Sequence, residues 1–285
     1  MPDVYANITS APPTLVDQIA RVLELRAADP QQRRMREAYL SQISLPQNAR
    51  VLDVGCGTGA VTRVLAEWPG VGQVVGVDPS PVFLEKARAL AAGRANLVFE
   101  QADGRELPFQ GDSFDVTLFH TTLCHVPRPE RALDEAFRVL RPDGWLAVFD
   151  GDYATATVAI GDFDPLQACV DAWVGSSVHD RWLLRRLPAL ARSSGFEVVS
   201  YRSHGYLQNV DPDYMMTIVS RGIDALTTSG RIGPEAAASL FGEARRRAET
   251  GEFFGHIAYV SMLGRKKASG APPRSRSSPL ALGSG

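Results

Sequence analysis

Apolar and polar positions alternate with two different rhythms along the chain. At the start the rhythm is helical: one helix is expected over 14–28, and Asp29 as N-cap with Pro30 at the first helical position opens another. In that second helix Met35, Tyr39 and Ile43 recur every four residues and form one apolar stripe. From Arg50 the pattern changes to short apolar runs, at 51–54, 73–77, 96–100, 115–119 and 145–150, separated by amphipathic stretches. Val61, Val64, Leu65 and Trp68 keep helical spacing, as do Leu133, Ala136, Phe137 and Leu140, and Ser80–Pro81 reads as the N-cap and first turn of a further helix. Strands alternating with helices predict a doubly wound, mostly parallel α/β sheet.

Past residue 150 the alternation loosens. Helices are expected over 165–174 and 180–193, a strand over 197–206, helices starting at Asp211–Pro212 and at Pro234, and a closing antiparallel strand over 256–263. This divides the chain into a helical N-terminal cap (1–48), a main domain (49–268) with helical lid insertions at about 160–193 and 211–250, and a Ser-, Pro- and Gly-rich tail (269–285) expected to be disordered.

Composition narrows the choice. Apolar residues make up 45% and charged residues 22% of 285, as in ordinary soluble domains, and the net charge of −2 offers little for sequence-independent binding of nucleic acid. Three scattered cysteines, Cys56, Cys124 and Cys169, form neither a disulfide framework nor a CxxC metal site, which fits a reducing cytoplasm. The N-terminus lacks the signature of an export leader, and no window approaches a membrane span. A monomer or homodimer without membrane insertion is expected.

Candidate chemistry concentrates in VLDVGCGTGA at 51–60, where a strand runs into a helix. Glycines there allow a sharp turn and close approach of backbone to a ligand, at the sheet edge where open α/β folds bind small molecules. Gly55, Gly57 and Ala60 also satisfy the relaxed dinucleotide pattern, with Asp78 near the distance of a ribose-gripping acid, so a nicotinamide-dependent oxidoreductase is a rival. Asp53 argues against it. A carboxylate at the mouth of the turn repels a pyrophosphate and attracts a cation, and S-adenosylmethionine (SAM) carries both an ammonium and a sulfonium.

With VVGVDPS at 74–80, QADGRELPF at 101–109, SFDVTLFHTTLCHV at 113–126 and VLRPDGWLAVFD at 139–150, the sequence resembles the class I SAM-dependent methyltransferases. Within them it is most like the small-molecule group related to ubiquinone and menaquinone biosynthesis, the type 11 domain. The resemblance implies a Rossmann-like fold, SAM as cofactor and methyl transfer to a small-molecule acceptor at O, N or C. It places the cofactor against Asp53, Gly55, Cys56, Gly57 and Gly59, its ribose on Asp78 beside Pro79, its adenine against Ala102, Asp103 and Gly104, and its methionine end near His120. Pro142, Asp143 and Gly144 read as a helix stop and turn.

Displacement at a sulfonium needs alignment and exclusion of water more than acid–base help, and a base only where the acceptor holds its proton tightly. Candidates are His120, His125, Asp150, Asp152, Tyr153 and His179; His120 with Asp152 or Tyr153 is the favoured catalytic set, while His125 reads as a loop buttress. His120, Cys124 and His125 lack a fourth ligand, so no metal is expected. Trp173, Trp182, Leu183, Tyr206, Tyr214, Met215, Met216, Phe253 and Phe254 are candidates to line a pocket for an apolar or aromatic acceptor, although most have the character of ordinary core. A SAM-binding protein of the same fold that rearranges its substrate or acts as a sensor shares these motifs and stays open as an alternative.

Overall fold

The computed structural model describes residues 12–267; the tail expected over 269–285 lies outside them. Two helices open it, α1 (Pro13–Ala28) and α2 (Pro30–Leu40). Asp29 caps α2 as expected, its Oδ1 accepting from the backbone N–H of Gln31 (2.7 Å) and Gln32 (3.1 Å). Ile43 falls outside the helix, which ends at Ser41, yet still packs on the core.

Seven strands follow: β1 (Ala49–Val54), β2 (Val71–Asp78), β3 (Leu97–Gln101), β4 (Phe114–His120), β5 (Leu140–Thr157), β6 (Glu197–Gln208) and β7 (Gly255–Arg265). They form one sheet in the order β3-β2-β1-β4-β5-β7-β6, with β7 antiparallel to both its neighbours and the pairs from β3 to β5 parallel. Val51, Leu52 and Val54 of β1 are all buried, the consequence of a parallel strand covered on both faces. Between the strands run α3 (Ala60–Ala66), α4 (Pro81–Leu90), α5 (Pro129–Val139), α6 (Pro165–Ser177), α7 (Leu183–Ser193), α8 (Asp213–Thr228) and α9 (Pro234–Thr250). In α5 the residues Ala132, Leu133, Ala136 and Val139 supply the buried stripe. Ser80 caps α4, its Oγ accepting from Phe83 N–H at 3.3 Å.

Two differences from the sequence reading have local causes. Leu140 belongs to β5 rather than to the helix, and residues 142–144 bulge out within that strand. Asp143 has φ of +60°, and this segment exchanges backbone hydrogen bonds with Lys266 (2.6 and 3.0 Å) just beyond β7. Strand β5 also runs on to Thr157, because β7 remains available as a partner beyond Asp150.

Strand order reverses between β1 and β4, whose neighbours lead away in opposite directions. The carboxyl ends of those two strands therefore flank the crevice where such sheets take ligands. Among the described residues no helix is long and apolar enough to cross a membrane.

Candidate functional site

The glycine turn is built as a cradle. Gly55 and Gly59 both have φ of +73°, and a Cβ on Gly55 would stand 2.2 Å from Thr122 Cγ2, so neither position admits a side chain without strain. The turn wraps the end of β2: Gly55 and Cys56 N–H donate to Val77 O (2.8 and 3.0 Å), and Gly57 N–H donates to Asp78 Oδ2 (2.9 Å). Asp78 Oδ1 accepts from Ser80 N–H (2.9 Å), so its carboxylate ties turn to helix as well as facing the crevice. Burial raises its pKa to about 6 against the pull of the Ser80 and Gly57 bonds.

A cavity of about 350 Å³ opens over this turn. Its floor is the turn with Asp78, Pro79, Asp103, Gly104 and the end of β4; its cover comes from Leu23, Arg26 and Ala27 of α1 and from Gln32 and Arg36 of α2. Among the described residues no lining residue comes from beyond Pro127, so the later helices, read from sequence as a lid, contribute none of this wall. They pack on one another instead, α6 against α8 and α8 against α9.

Among the described residues, three polar side chains of the lining, those of Asp53, Arg36 and Gln32, have buried atoms lacking a partner. Asp53 is 1% exposed; its Oδ2 accepts from Thr62 Oγ1 at 2.6 Å, while Oδ1 has no partner, and burial raises the pKa to about 7. Arg36 is 2% exposed with Nε and Nη1 unpartnered, and burial lowers its pKa. Gln32, one helical turn before Arg36 and 1% exposed, has both amide atoms unpartnered. Buried polar atoms are normally bonded, and each one left without a partner costs about 1–3 kcal/mol, more when charged. A ligand bearing one cationic and one anionic group close together, as the methionine end of SAM does, would satisfy both charges.

At the end of β4, His120 Nδ1 lies 2.9 Å from the Tyr39 hydroxyl, and its ring stacks on Phe149 at 4.7 Å. Burial holds its pKa well below the ordinary imidazole value, and the charges of Arg26 and Arg36 push the same way. His120 is therefore neutral. Arg26 Nη2 donates to Thr121 Oγ1 at 2.5 Å. His125 also lines the cavity, in a 3-10 turn (Leu123–His125) anchored where Cys124 N–H donates to the buried Asp150 carboxylate at 3.1 Å. Burial raises the Asp150 pKa, and the nearby His125 and the Cys124 N–H work against that rise.

Several expected site residues thus meet around one cavity: Asp53, Gly55, Cys56, Gly57, Asp78, Pro79, Asp103, Gly104 and His120 all line it, with Gly59 in the turn and Ala102 beside Asp103. Asp152 and Tyr153 are not brought to it. Asp152 pairs with Arg185 at 3.0 Å, and Tyr153 is buried edge-on against Trp173. His179 and the aromatic residues from Trp173 onward are likewise absent from the lining; Trp173, Leu183, Tyr206, Tyr214, Met215 and Phe253 are buried core. Sequence reasoning missed Arg26, Gln32, Arg36 and Arg105, whose guanidinium grips the Asp103 carboxylate at 2.6 Å. The available signal was polar residues set beside the Met35–Tyr39 stripe on a helix that otherwise reads as amphipathic.

Comparison with known proteins adds independent findings. A family model described as a methyltransferase domain matches residues 52–148. The chain is 33% identical over 172 residues to a demethylmenaquinone methyltransferase of Lactococcus lactis, covering 54% of this chain and 68% of that protein. It is 30% identical over 183 residues to an uncharacterized 37.1 kDa protein encoded in a transposon of Streptomyces fradiae, covering 64% of this chain but only 53% of that one. Among solved structures, the [4+2]-cyclase SpnF is similar in fold, with a TM-score of 0.58 and 22% identity over 94% of this chain and 98% of its own.

Proposed function

The chain belongs to the class I SAM-dependent methyltransferases, and from that premise we propose that it transfers the methyl group of SAM to a small-molecule acceptor in the cavity between β1 and β4. The observation that carries this reading is the pair of buried, partly unpartnered charges, Asp53 and Arg36, on the walls of the glycine-lined cavity. In this reading Asp53 takes the ammonium of the methionine moiety, and Arg36 with Gln32 takes its carboxylate. Asp78 serves the ribose hydroxyls, and residues 102–104 the adenine. When bound there, SAM would supply a methyl group activated for displacement by its attachment to a sulfonium.

The protein's share is placement and exclusion of water. Leu23 and Ala27 from α1 and Phe83 from α4 give the cavity apolar walls, while Tyr39 and Phe149 fix the His120 ring. Burial keeps His120 uncharged and makes it a weak proton acceptor, so it orients the acceptor more than it ionises it. We place the reaction in the cytoplasm, where the thiols of Cys56, Cys124 and Cys169, the last two buried, stay reduced.

Incubation with methyl-labelled SAM and a panel of phenols, quinols, amines and carboxylates, read by mass spectrometry, tests the reading. Label should appear in one acceptor class in step with release of S-adenosylhomocysteine (SAH). Absence of SAH binding at millimolar ligand would refute it.

A further inference from the structure

The imidazole of His120 is held by the protein on its face and at one edge, which leaves one nitrogen to the cavity. Its face stacks on Phe149 (4.7 Å between centroids, 17° between planes), and Phe149 stacks in turn on Tyr259 (5.1 Å, 7°), so the plane of the ring is set. Its rotation within that plane is set by Tyr39, whose hydroxyl lies 2.9 Å from Nδ1 and whose own ring also stacks on Phe149 (5.5 Å). Nε2 makes no hydrogen bond among the described residues, yet it is not sealed off: His120 is part-exposed where Tyr39 and Phe149 are fully buried, and it lines the cavity. Nε2 is therefore the ring nitrogen that a guest meets.

Whether Nε2 carries a proton is decided at Tyr39. A phenol has one O–H to donate, and an uncharged imidazole donates from one nitrogen and accepts at the other. Tyr39 is 0% exposed, and among the described residues His120 Nδ1 is the one hydrogen-bond partner of its hydroxyl. The Asp53 carboxylate is not a second: its Oδ2 takes the Thr62 hydroxyl and its Oδ1 is unbonded. If Nδ1 bore the proton, the Tyr39 oxygen would accept it and the hydroxyl hydrogen would be a buried donor with no acceptor. With the proton on Nε2, the hydroxyl donates to the Nδ1 lone pair and both groups are satisfied. The penalty for leaving a buried donor unbonded favours this second arrangement by about tenfold. Nε2 itself meets the open cavity, where water serves a donor or an acceptor equally well. Burial, aided by the charges of Arg26 and Arg36, keeps the ring from taking a second proton.

Resting on the methyltransferase reading, we infer that His120 meets the methyl acceptor as a hydrogen-bond donor through Nε2–H, that Tyr39 is the positioning residue that fixes this tautomer, and that the acceptor presents an oxygen lone pair there, on a carbonyl, enolate or phenolate. A general-base role for His120 is set aside, because its one basic nitrogen is turned onto Tyr39 and away from the cavity. A donor at this point stabilises negative charge gathering on the acceptor's oxygen without removing a proton from it. The stacked ring gives that bond a single direction, which orients the acceptor relative to the cofactor. Protonated amines, with no lone pair to offer, are disfavoured.

Nitrogen NMR of the full chain, isotope-labelled in its histidine rings, reads the tautomer directly, with the His120 signals assigned by their loss in His120→Gln. In the ligand-free protein Nε2 should resonate as a protonated, pyrrole-like nitrogen and Nδ1 as an unprotonated, pyridine-like one, in a ratio of about 10:1 or more. Tyr39→Phe keeps a ring to stack on Phe149 but removes the hydroxyl, and should lower that ratio by about tenfold. Phe149→Leu loosens the stack and keeps the hydroxyl, and should leave the ratio within about twofold. In SAH-saturated protein, acetophenone or cyclohexanone should move the Nε2 signal, and toluene, which lacks the oxygen, should not. The inference is overturned if Nδ1 of the wild-type protein carries the proton, if Tyr39→Phe leaves the ratio unchanged, if Phe149→Leu lowers it as far, or if neither ketone moves Nε2 more than toluene does. The tautomer is read without cofactor, so failure of the wild-type protein to bind SAH would remove the methyltransferase premise and leave the His120 assignment standing.

Discussion

Replacing Asp53 by Asn should make the protein more stable and less able to bind its cofactor, opposite effects from one atom pair. The carboxylate is 1% exposed and its pKa stands at about 7, against 3.8 for an ordinary aspartate. The folded state holds the proton more tightly than the unfolded chain. The stability associated with that proton is therefore complete below about pH 4 and lost as pH rises through about 7, an amount on the order of 4 kcal/mol. Asn keeps an oxygen to accept from Thr62 Oγ1 and carries no charge. At pH 8 the ligand-free variant should exceed the wild type by about 2–4 kcal/mol, or roughly 4–8 °C in Tm, and the gap should close towards pH 5. Loss of the carboxylate opposite an ammonium should weaken SAH binding by about 30- to 100-fold, about 2–3 kcal/mol. Differential scanning fluorimetry across pH 5–8, with and without SAH, reads both effects. A variant less stable than the wild type at pH 8, or stabilised by SAH to the same degree, would refute the reasoning.

Other perturbations separate the cradle from the scaffold. Gly55→Ala places a methyl into Thr122 at a backbone angle that side chains avoid, so it should cost about 1–3 kcal/mol and abolish SAH binding measured by calorimetry. Gly222→Ala drives a Cβ to 1.9 Å from the Cys169 carbonyl where α8 crosses α6; it should cost about 3 kcal/mol or more in denaturant unfolding while SAH affinity of the folded fraction is retained. Arg247→Ala strands the buried Asp164 carboxylate, which caps α6 through Leu166 N–H, and should cost about 3–5 kcal/mol, with Arg247→Lys recovering part of the loss.

The strands around the switch point were legible because they obey a local rule. Val51, Leu52 and Val54 are buried on both faces and read as a continuous apolar run, and glycines at 55, 57 and 59 announce the turn by their residue type alone. The match to the methyltransferase domain falls on the same segment, 52–148. The cover of the cavity was not legible. Gln32 and Arg36 look like the solvent face of an amphipathic helix until α2 is folded over the sheet, where both are almost fully buried. Asp152 looked catalytic from its place after the fifth strand, yet that strand continues to Thr157 and pairs with β7, and Arg185 from α7 takes the side chain. Both outcomes depend on contacts between residues far apart in the chain, which periodicity does not report.

The most direct measurement is a crystal structure of the protein with SAH. The account predicts the amino group of the homocysteine moiety about 3 Å from Asp53 Oδ1 and its carboxylate against the Arg36 guanidinium. Homocysteine lying away from β1, or Asp53 still facing no ligand while Arg36 turns out of the cavity, would contradict it.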